Sequence, residues 1–107
     1  MCHSRRGKIE YPLEAVAVLI GDPQTRRITG AAMRTAIALD VSEGEIVTCV
    51  RTLTPADFYR CIASEHDHRL WLDVYHPSWK GVRLYVKLYI ETTGDGKSVV
   101  VLSFKER

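Results

Sequence analysis

Basic and aromatic side chains alternate in the segment from residue 82 to 91, where Arg83, Tyr85 and Lys87 occupy every second position. Lys105 lies in the last apolar segment of the chain. Lysine and arginine can stabilise the negative charge of a phosphorane, and tyrosine or lysine can exchange protons when its pKa is shifted. Aromatic rings beside cations also stack on unpaired bases. These residue types suit RNA binding and metal-independent cleavage, in which the ribose 2′-hydroxyl attacks the phosphate.

The same alternation has a simpler explanation, because polar residues on the solvent face of a half-buried strand keep a protein soluble. The pattern alone favours this simpler explanation. A zinc site is a weaker alternative, since His66 and His68 near Cys61 lack a further ligand at the usual spacing. Cys49 lies in an apolar stripe, which is typical of a core residue rather than a nucleophile. We therefore expect neither a metal ion nor a cofactor.

Two strands joined by a turn must position the basic and aromatic residues. Apolar side chains occupy the even positions of residues 82–90 and again of residues 100–104. A one-residue slip would turn every apolar side chain to the other face, so the sequence predicts an antiparallel hairpin centred on Asp95. The predicted pairs are Tyr85 with Lys105, Lys87 with Ser103, Val86 with Phe104, Leu88 with Leu102, and Ile90 with Val100.

The first half of the chain predicts helices. Pro12 and Gly21 delimit a first helix whose apolar residues run almost all round, so we expect it to be buried. Ser42 and Glu45 form a capping-box pattern before an apolar stripe that would pack on a sheet. The remaining predictions are an edge strand at 26–29, a helix capped by Thr29 that ends near Leu39, a short helix through Phe58 and Ile62, a polar loop at 65–69, and a strand at 70–76.

Length and composition predict one globular domain over residues 1–107. The chain is 46% hydrophobic and 26% charged, and its formal net charge of +2 permits nucleic-acid binding without requiring it. Three cysteines without CxxC spacing, and no apolar run long enough for a bilayer, predict a cytoplasmic protein without membrane association. We expect an α+β fold, with N-terminal helices on one face of a C-terminal antiparallel β-sheet.

Five short segments carry a more specific signal when they are taken together. They are Asp57-Phe58-Tyr59-Arg60, Asp67-His68, Trp71-Leu72-Asp73-Val74-Tyr75-His76-Pro77, Tyr85-Val86-Lys87 and Ser103-Phe104-Lys105-Glu106. Their order, spacing and terminal position resemble the motility quorum-sensing regulator (MqsR) toxins over roughly residues 13–106. The resemblance implies that residues 1–10 are an N-terminal extension of this domain. The resemblance implies a RelE-like microbial ribonuclease fold and a type II toxin that cleaves messenger RNA without metal at short GC-containing sites. It also implies a cognate antitoxin, which would be a zinc-containing, helix-turn-helix DNA-binding protein. The toxin would contact DNA only indirectly, through this antitoxin.

The family's active-site positions fall, by the same resemblance, on Arg60, Leu72, Tyr85 and Lys105. Lys105 would stabilise the phosphorane or donate a proton, while Tyr85 would share proton transfer or orient the 2′-hydroxyl. Arg60 would clamp phosphate, although an arginine cannot serve as a proton donor. Leu72 departs from the family's glutamine and cannot form a hydrogen bond. Further candidates are Lys87 and Arg83 along the RNA backbone and His68 as a second-rank general base.

The missing glutamine leaves two other functions open. A catalytically impaired homologue would bind RNA or a partner protein without cutting, unless another polar side chain reaches the space beside Leu72. A transcriptional co-regulator would act only through the antitoxin's DNA-binding domain. A neighbouring gene for a Cys-rich helix-turn-helix protein would support both the toxin and the co-regulator.

Overall fold

The computed structural model describes residues 5–107, so the first four residues of the predicted N-terminal extension lie outside the described part. The helices are α1 (Leu13–Ile20), α2 (Gly30–Ala38) and α3 (Glu43–Arg51). The strands are β1 (Arg5–Arg6), β2 (Arg26–Ile28), β3 (Phe58–Ala63), β4 (Trp71–Tyr75), β5 (Ser78–Trp79), β6 (Val82–Thr93) and β7 (Gly96–Glu106). No helix within residues 5–107 combines the length and the apolar character needed to cross a membrane.

Six strands form one mixed sheet in the order β1-β3-β4-β6-β7-β2, and β5 pairs with β6 beside this path. All these neighbours are antiparallel except β2, which runs parallel to β7. The α+β class is confirmed, and so is the short edge strand predicted at 26–29, which is β2. The predicted antiparallel C-terminal sheet is present in β4, β6 and β7, while β2 adds a parallel pair and β1 is a further strand that the sequence did not predict. Strands β1 and β2 come from the N-terminal half and pair with the backbone groups that the edges of the C-terminal strands would otherwise leave open.

The helix starts follow the capping signals in the sequence. The Thr29 hydroxyl accepts a hydrogen bond from the Ala32 N–H at 3.2 Å. Ser42 and Glu45 form the predicted capping box, in which each side chain accepts the backbone N–H of the other residue. Such caps contribute roughly 1 kcal/mol each, because they satisfy N–H groups that have no partner inside the helix.

Strand β3 replaces a predicted helix. Thr54 and Asp57 form a helix-start pattern three residues apart just before this segment, and the Thr54 N–H donates to the Asp57 carboxylate at 2.9 Å. However, this pattern produces only one 3-10 turn (Pro55–Asp57) before the chain becomes extended. Residues 58–63 are rich in aromatic and β-branched side chains, and they gain backbone partners from β1 on one side and β4 on the other. This pairing prevails over the local helix signal.

The hairpin of β6 and β7 has the predicted register near its open end. Tyr85 pairs with Lys105, and Lys87 pairs with Ser103. A β-bulge then follows, because Leu102 is an extra residue in β7 with no partner of its own in β6. Beyond the bulge, the pairing is shifted by one residue from the prediction.

The turn of this hairpin explains the shift. Its loop contains only residues 94–95, instead of the longer turn centred on Asp95 that the sequence predicts. Ile90 therefore pairs with Val99 rather than Val100. Val99 and Val101 belong to the core beneath the helices, whereas Val100 is buried outside that core cluster.

The helices cover one face of the sheet, which we call the inner face. Its fully buried side chains come from both layers: Ile20, Ile46 and Val50 from the helices, and Leu84, Val86, Leu88 and Phe104 from the sheet. The predicted stripe on α3 is therefore confirmed. The first helix departs from its prediction, because Val18 is 74% exposed and only one side of α1 packs on the core.

A buried carboxylate attaches the N-terminal segment to the sheet. Asp73 in β4 is fully buried and accepts hydrogen bonds from the N–H groups of Glu10 and Tyr11, the latter at 2.9 Å. The Tyr11 hydroxyl donates to the Trp71 carbonyl at 2.6 Å. These bonds hold the residues before α1 against β4.

The attachment predicts a specific loss of stability. Asp73→Ala leaves the N–H groups of Glu10 and Tyr11 buried without an acceptor, so we expect the free energy of unfolding to fall by about 2–4 kcal/mol in urea titrations. Asp73→Asn keeps one acceptor oxygen and should lose less. Equal stability of Asp73→Ala and the parent protein would contradict this role.

The same carboxylate predicts a pH dependence. Burial raises the pKa of Asp73 above its ordinary value, although the Tyr11 and Glu10 N–H groups oppose this shift. The folded state therefore holds this proton more tightly than the unfolded chain, whose Asp pKa is about 3.9. Relative to Asp73→Asn, the parent protein should lose stability as the pH rises from about 4 through the raised pKa.

Candidate active site

The face of the sheet opposite the helices, here called the outer face, brings most of the predicted site residues together. Tyr85 lies between the core residues Leu84 and Val86, so strand alternation turns its side chain to the outer face. Lys105 is its direct partner in β7. Arg60 in β3 pairs with Val74 in the neighbouring strand β4.

Five side chains make a continuous row of contacts, which we call the basic-aromatic row. The Arg60 guanidinium lies 4.8 Å from the centre of the Tyr59 ring, and that ring stacks on His76 with the centroids 4.2 Å apart. His76 in turn lies 5.8 Å from the Tyr85 ring. The Lys105 ammonium lies 5.1 Å from the centre of Tyr85. Cations therefore stand at both ends of the row, separated by three rings.

The backbone holds His76 firmly at the end of β4. Its N–H donates to the Asp57 carbonyl at 2.7 Å, and its carbonyl accepts from the Arg83 guanidinium at 2.8 Å. Pro77 follows directly, which favours extended backbone at His76 and ends the strand there. The imidazole is thereby directed between the two tyrosines.

Burial and neighbouring charges set the proton occupancy of the row. Burial raises the pKa of Tyr85, although the Arg60 charge opposes this shift, so the phenol keeps its proton at neutral pH. Burial lowers the pKa of His76, and the positive charges of Arg107, Arg83 and Arg60 lower it further. The imidazole is therefore uncharged at neutral pH. At that pH the row contains a proton donor and an unprotonated base side by side.

The remaining predicted residues occupy different places. Lys87 lies on the outer face, opposite Ser103 and Val74, two residue pairs along the hairpin from Tyr85. Arg83 is exposed, and its guanidinium supports the His76 carbonyl. His68 is exposed in the loop between β3 and β4, at the end of these strands opposite His76. The structure does not bring His68 to the row.

Sequence reasoning did not identify Tyr59 and His76 as site residues. Tyr59 is the extra residue of a β-bulge in β3, where Phe58 pairs with Tyr75 and Arg60 pairs with Val74. Bulges often redirect side chains next to functional sites, but no glycine or other turn residue in the sequence indicates a bulge at this position. The signal available for His76 was Pro77, which places it at the end of a strand.

Leu72 gives the site an apolar neighbour in place of a polar one. It is 4% exposed and pairs with Ile62 of β3. Val74, the next residue of β4 on the same face, is fully buried as well. The floor of the outer face is therefore apolar beside the row.

No group of three His, Cys, Asp or Glu side chains within residues 5–107 is arranged to hold a metal ion.

Comparison with known proteins gives the family. The model of the family described as "Motility quorum-sensing regulator, toxin of MqsA" matches residues 8–106. The chain belongs to this MqsR toxin family. A relative in Escherichia coli (strain K12), the mRNA interferase toxin MqsR, is 28% identical over 95 residues, which cover 89% of this chain and 91% of the relative. The MqsR match includes the whole basic-aromatic row, whereas β1 (Arg5–Arg6) precedes it.

The electrostatics of the row predict the titration of His76. The imidazole signals in two-dimensional NMR should titrate with a pKa below the ordinary value of 6.5. Arg107→Gln removes the first of the cations that lower it, so this variant should move the pKa of His76 upwards. Lys97→Gln, which removes one charge at the other end of β7, is the matched control and should leave it unchanged. A His76 pKa above 6.5 would contradict the assignment.

Proposed function

We propose that this chain is the toxin of a type II toxin–antitoxin pair and acts as a metal-independent endoribonuclease on messenger RNA. The observation that carries the proposal is the Tyr85–Lys105 pair on the outer face, within a row that also contains Arg60. Membership of the MqsR family supports it, since a relative is named an mRNA interferase toxin. Cleavage at short GC-containing sites belongs to the same proposal.

The reaction is an attack of the ribose 2′-oxygen on the adjacent phosphorus. The P–O5′ bond breaks, and the products are a 2′,3′-cyclic phosphate and a 5′-hydroxyl. Lys105 stabilises the charge on the phosphorane and supplies a proton to the leaving 5′-oxygen. Tyr85 orients the 2′-hydroxyl, and Arg60 clamps a non-bridging phosphate oxygen with its guanidinium. Each role requires the side chain to be in position before the substrate binds. The pairing of β3 with β4 and of β6 with β7 fixes the backbone positions of these residues.

RNA binding uses the surface around these residues. Tyr59 is 46% exposed and offers an aromatic ring for an unpaired base. Lys87 and Arg83 flank Tyr85 on the same strand and contact the phosphates on either side of the scissile one. The net charge of +2 is small, so the local concentration of cations on this face attracts the RNA.

The partner proposed for the chain is a cognate antitoxin, since the family description reads "toxin of MqsA". The same proposal includes the chemistry of this antitoxin, which would contain zinc and a helix-turn-helix domain, so that the toxin would contact DNA only through it.

A second candidate function rests on Leu72. Because this residue is buried against apolar neighbours, the chain could bind RNA or a partner protein through the row with weak or no cleavage.

Substitution of two lysines on the outer face tests whether the chain is an enzyme or a binding protein. Lys105→Ala should lower the single-turnover cleavage rate by about 10²–10³-fold and weaken RNA binding much less, because its charge acts mainly on the transition state. Lys87→Ala is the matched control, which should weaken binding, reduce the salt slope by about one, and keep the rate at saturation. Tyr85→Phe retains the ring and tests the hydroxyl alone.

Rates are measured on a long RNA with excess protein, and binding is measured at several salt concentrations. Parallel losses of rate and affinity in all three variants, or no cleavage by the parent protein, would favour the binding function instead.

A further inference from the structure

Cleavage by the 2′-hydroxyl requires a group that removes its proton, and the residues assigned so far are poor bases. Arg60 carries a guanidinium, which has no lone pair free to accept a proton. Tyr85 retains its proton because burial raises its pKa. Lys105 supplies a proton to the leaving oxygen and cannot accept one at the same moment. Two other side chains of the basic-aromatic row remain. Tyr59 carries a phenol, which is a far weaker base than an imidazole, so the imidazole of His76 is the candidate base.

The placement of His76 suits a base. Its Nε2 atom is buried and has no hydrogen-bond partner among residues 5–107. A buried polar atom without a partner is costly, and such atoms are often found where function needs them. The ring is also fixed on both sides, since Tyr59 stacks on one side and Tyr85 lies on the other.

The surroundings of the imidazole keep it unprotonated until substrate arrives. The groups that face it are Tyr59 and Arg60 from β3, Arg83 and Tyr85 from β6, and Arg107 from the end of the chain. All the charged members of this set are cations, and their charges disfavour a further positive charge on the imidazole. Bound phosphate brings negative charge among them and makes protonation of the imidazole easier during the reaction.

We propose that His76 is the general base of the cleavage, an inference that rests on the proposed ribonuclease function. The 2′-hydroxyl transfers its proton to Nε2 as the 2′-oxygen bonds to phosphorus, and the P–O5′ bond breaks as Lys105 protonates the 5′-oxygen. Afterwards the imidazolium returns its proton to solvent and the Lys105 amine regains one, so the enzyme is restored. Tyr59 stacks on the imidazole and is 46% exposed, so a movement of this side chain would give the ribose access to the buried Nε2.

The test is the pH dependence of single-turnover cleavage from about pH 5 to about pH 9. The parent rate should rise with pH along an acid limb that follows the titration of His76. His76→Gln should lower the rate by roughly 10²–10⁴-fold and abolish the limb, while RNA affinity stays within a few-fold. His66→Gln is the matched control, since it removes an exposed histidine in the loop between β3 and β4, outside the row, and its rate and limb should be those of the parent.

A second variant leaves His76 in place, so the test does not depend on the folding of His76→Gln. Arg107→Gln should move the acid limb and the NMR titration of His76 upwards together. Imidazole in the buffer should also partly restore cleavage by His76→Ala. If the parent protein cuts RNA but the acid limb is absent, or persists in His76→Gln, His76 is not the base and the proposed function stands. If the parent protein cuts no RNA at all, the proposed function itself fails.

Discussion

The pairing of β6 with β7 determines which side chains enter the core and which meet on the outer face. Phe104 must be buried under the helices, and this requirement places Lys105 opposite Tyr85 on the other side of the sheet. The two-residue loop at 94–95 would by itself give a register one residue out of step. The bulge at Leu102 removes that mismatch, so one extra residue in β7 lets the tight turn, the core and the outer face coexist.

The turn itself depends on a residue without a side chain. Gly96 has a φ of 126°, a conformation that other residues adopt only with strain. It pairs with Thr93 as the last rung of the ladder. The long strands that follow carry the pairing from this turn to Lys105 at the opposite end of the hairpin. The geometry of the proposed site is therefore set by backbone hydrogen bonds rather than by the flexible side chains themselves.

Much of this arrangement can be predicted from sequence where one signal dominates. The capping box at Ser42 and the alternation in β6 each specify a structure locally, and the Tyr85–Lys105 pair follows from the need to bury Phe104. The helix predicted through Phe58 and Ile62 is wrong, because a helix-start signal precedes residues that suit a strand, and the outcome depends on partners distant in sequence.

The missed site residues have the same physical origin. Tyr59 reaches His76 only because of a bulge in β3, and that bulge depends on how β3 fits against β4. The importance of His76 comes from what surrounds it: two aromatic rings from other strands and three arginines that converge from distant positions. His68 has the same chemistry and is closer to the usual idea of an accessible base, yet its loop leaves it outside the row.

In the proposed function, one surface would both bind the phosphate and provide the groups that act on it. Arg60 and Lys105 stand at the two ends of the row with three rings between them, so positive charge lies at both ends. An uncharged His76 between them adds a base without adding to that charge. A phosphate that bridges the row would neutralise the cations and bring the 2′-hydroxyl to the imidazole in one step.

The most direct test of this account uses an RNA oligonucleotide with a mapped cut site and a matched copy that carries a single 2′-deoxyribose on the 5′ side of that cut. Both are incubated with the protein in EDTA, and the products are mapped at single-nucleotide resolution. Because cations surround the row and the nucleophile comes from the substrate, we expect the all-RNA strand to be cut, leaving a 5′-hydroxyl on the downstream fragment. The deoxy-substituted strand should bind with similar affinity and remain intact at that position. Equal cleavage of both strands, or cleavage that requires added metal, would contradict the account.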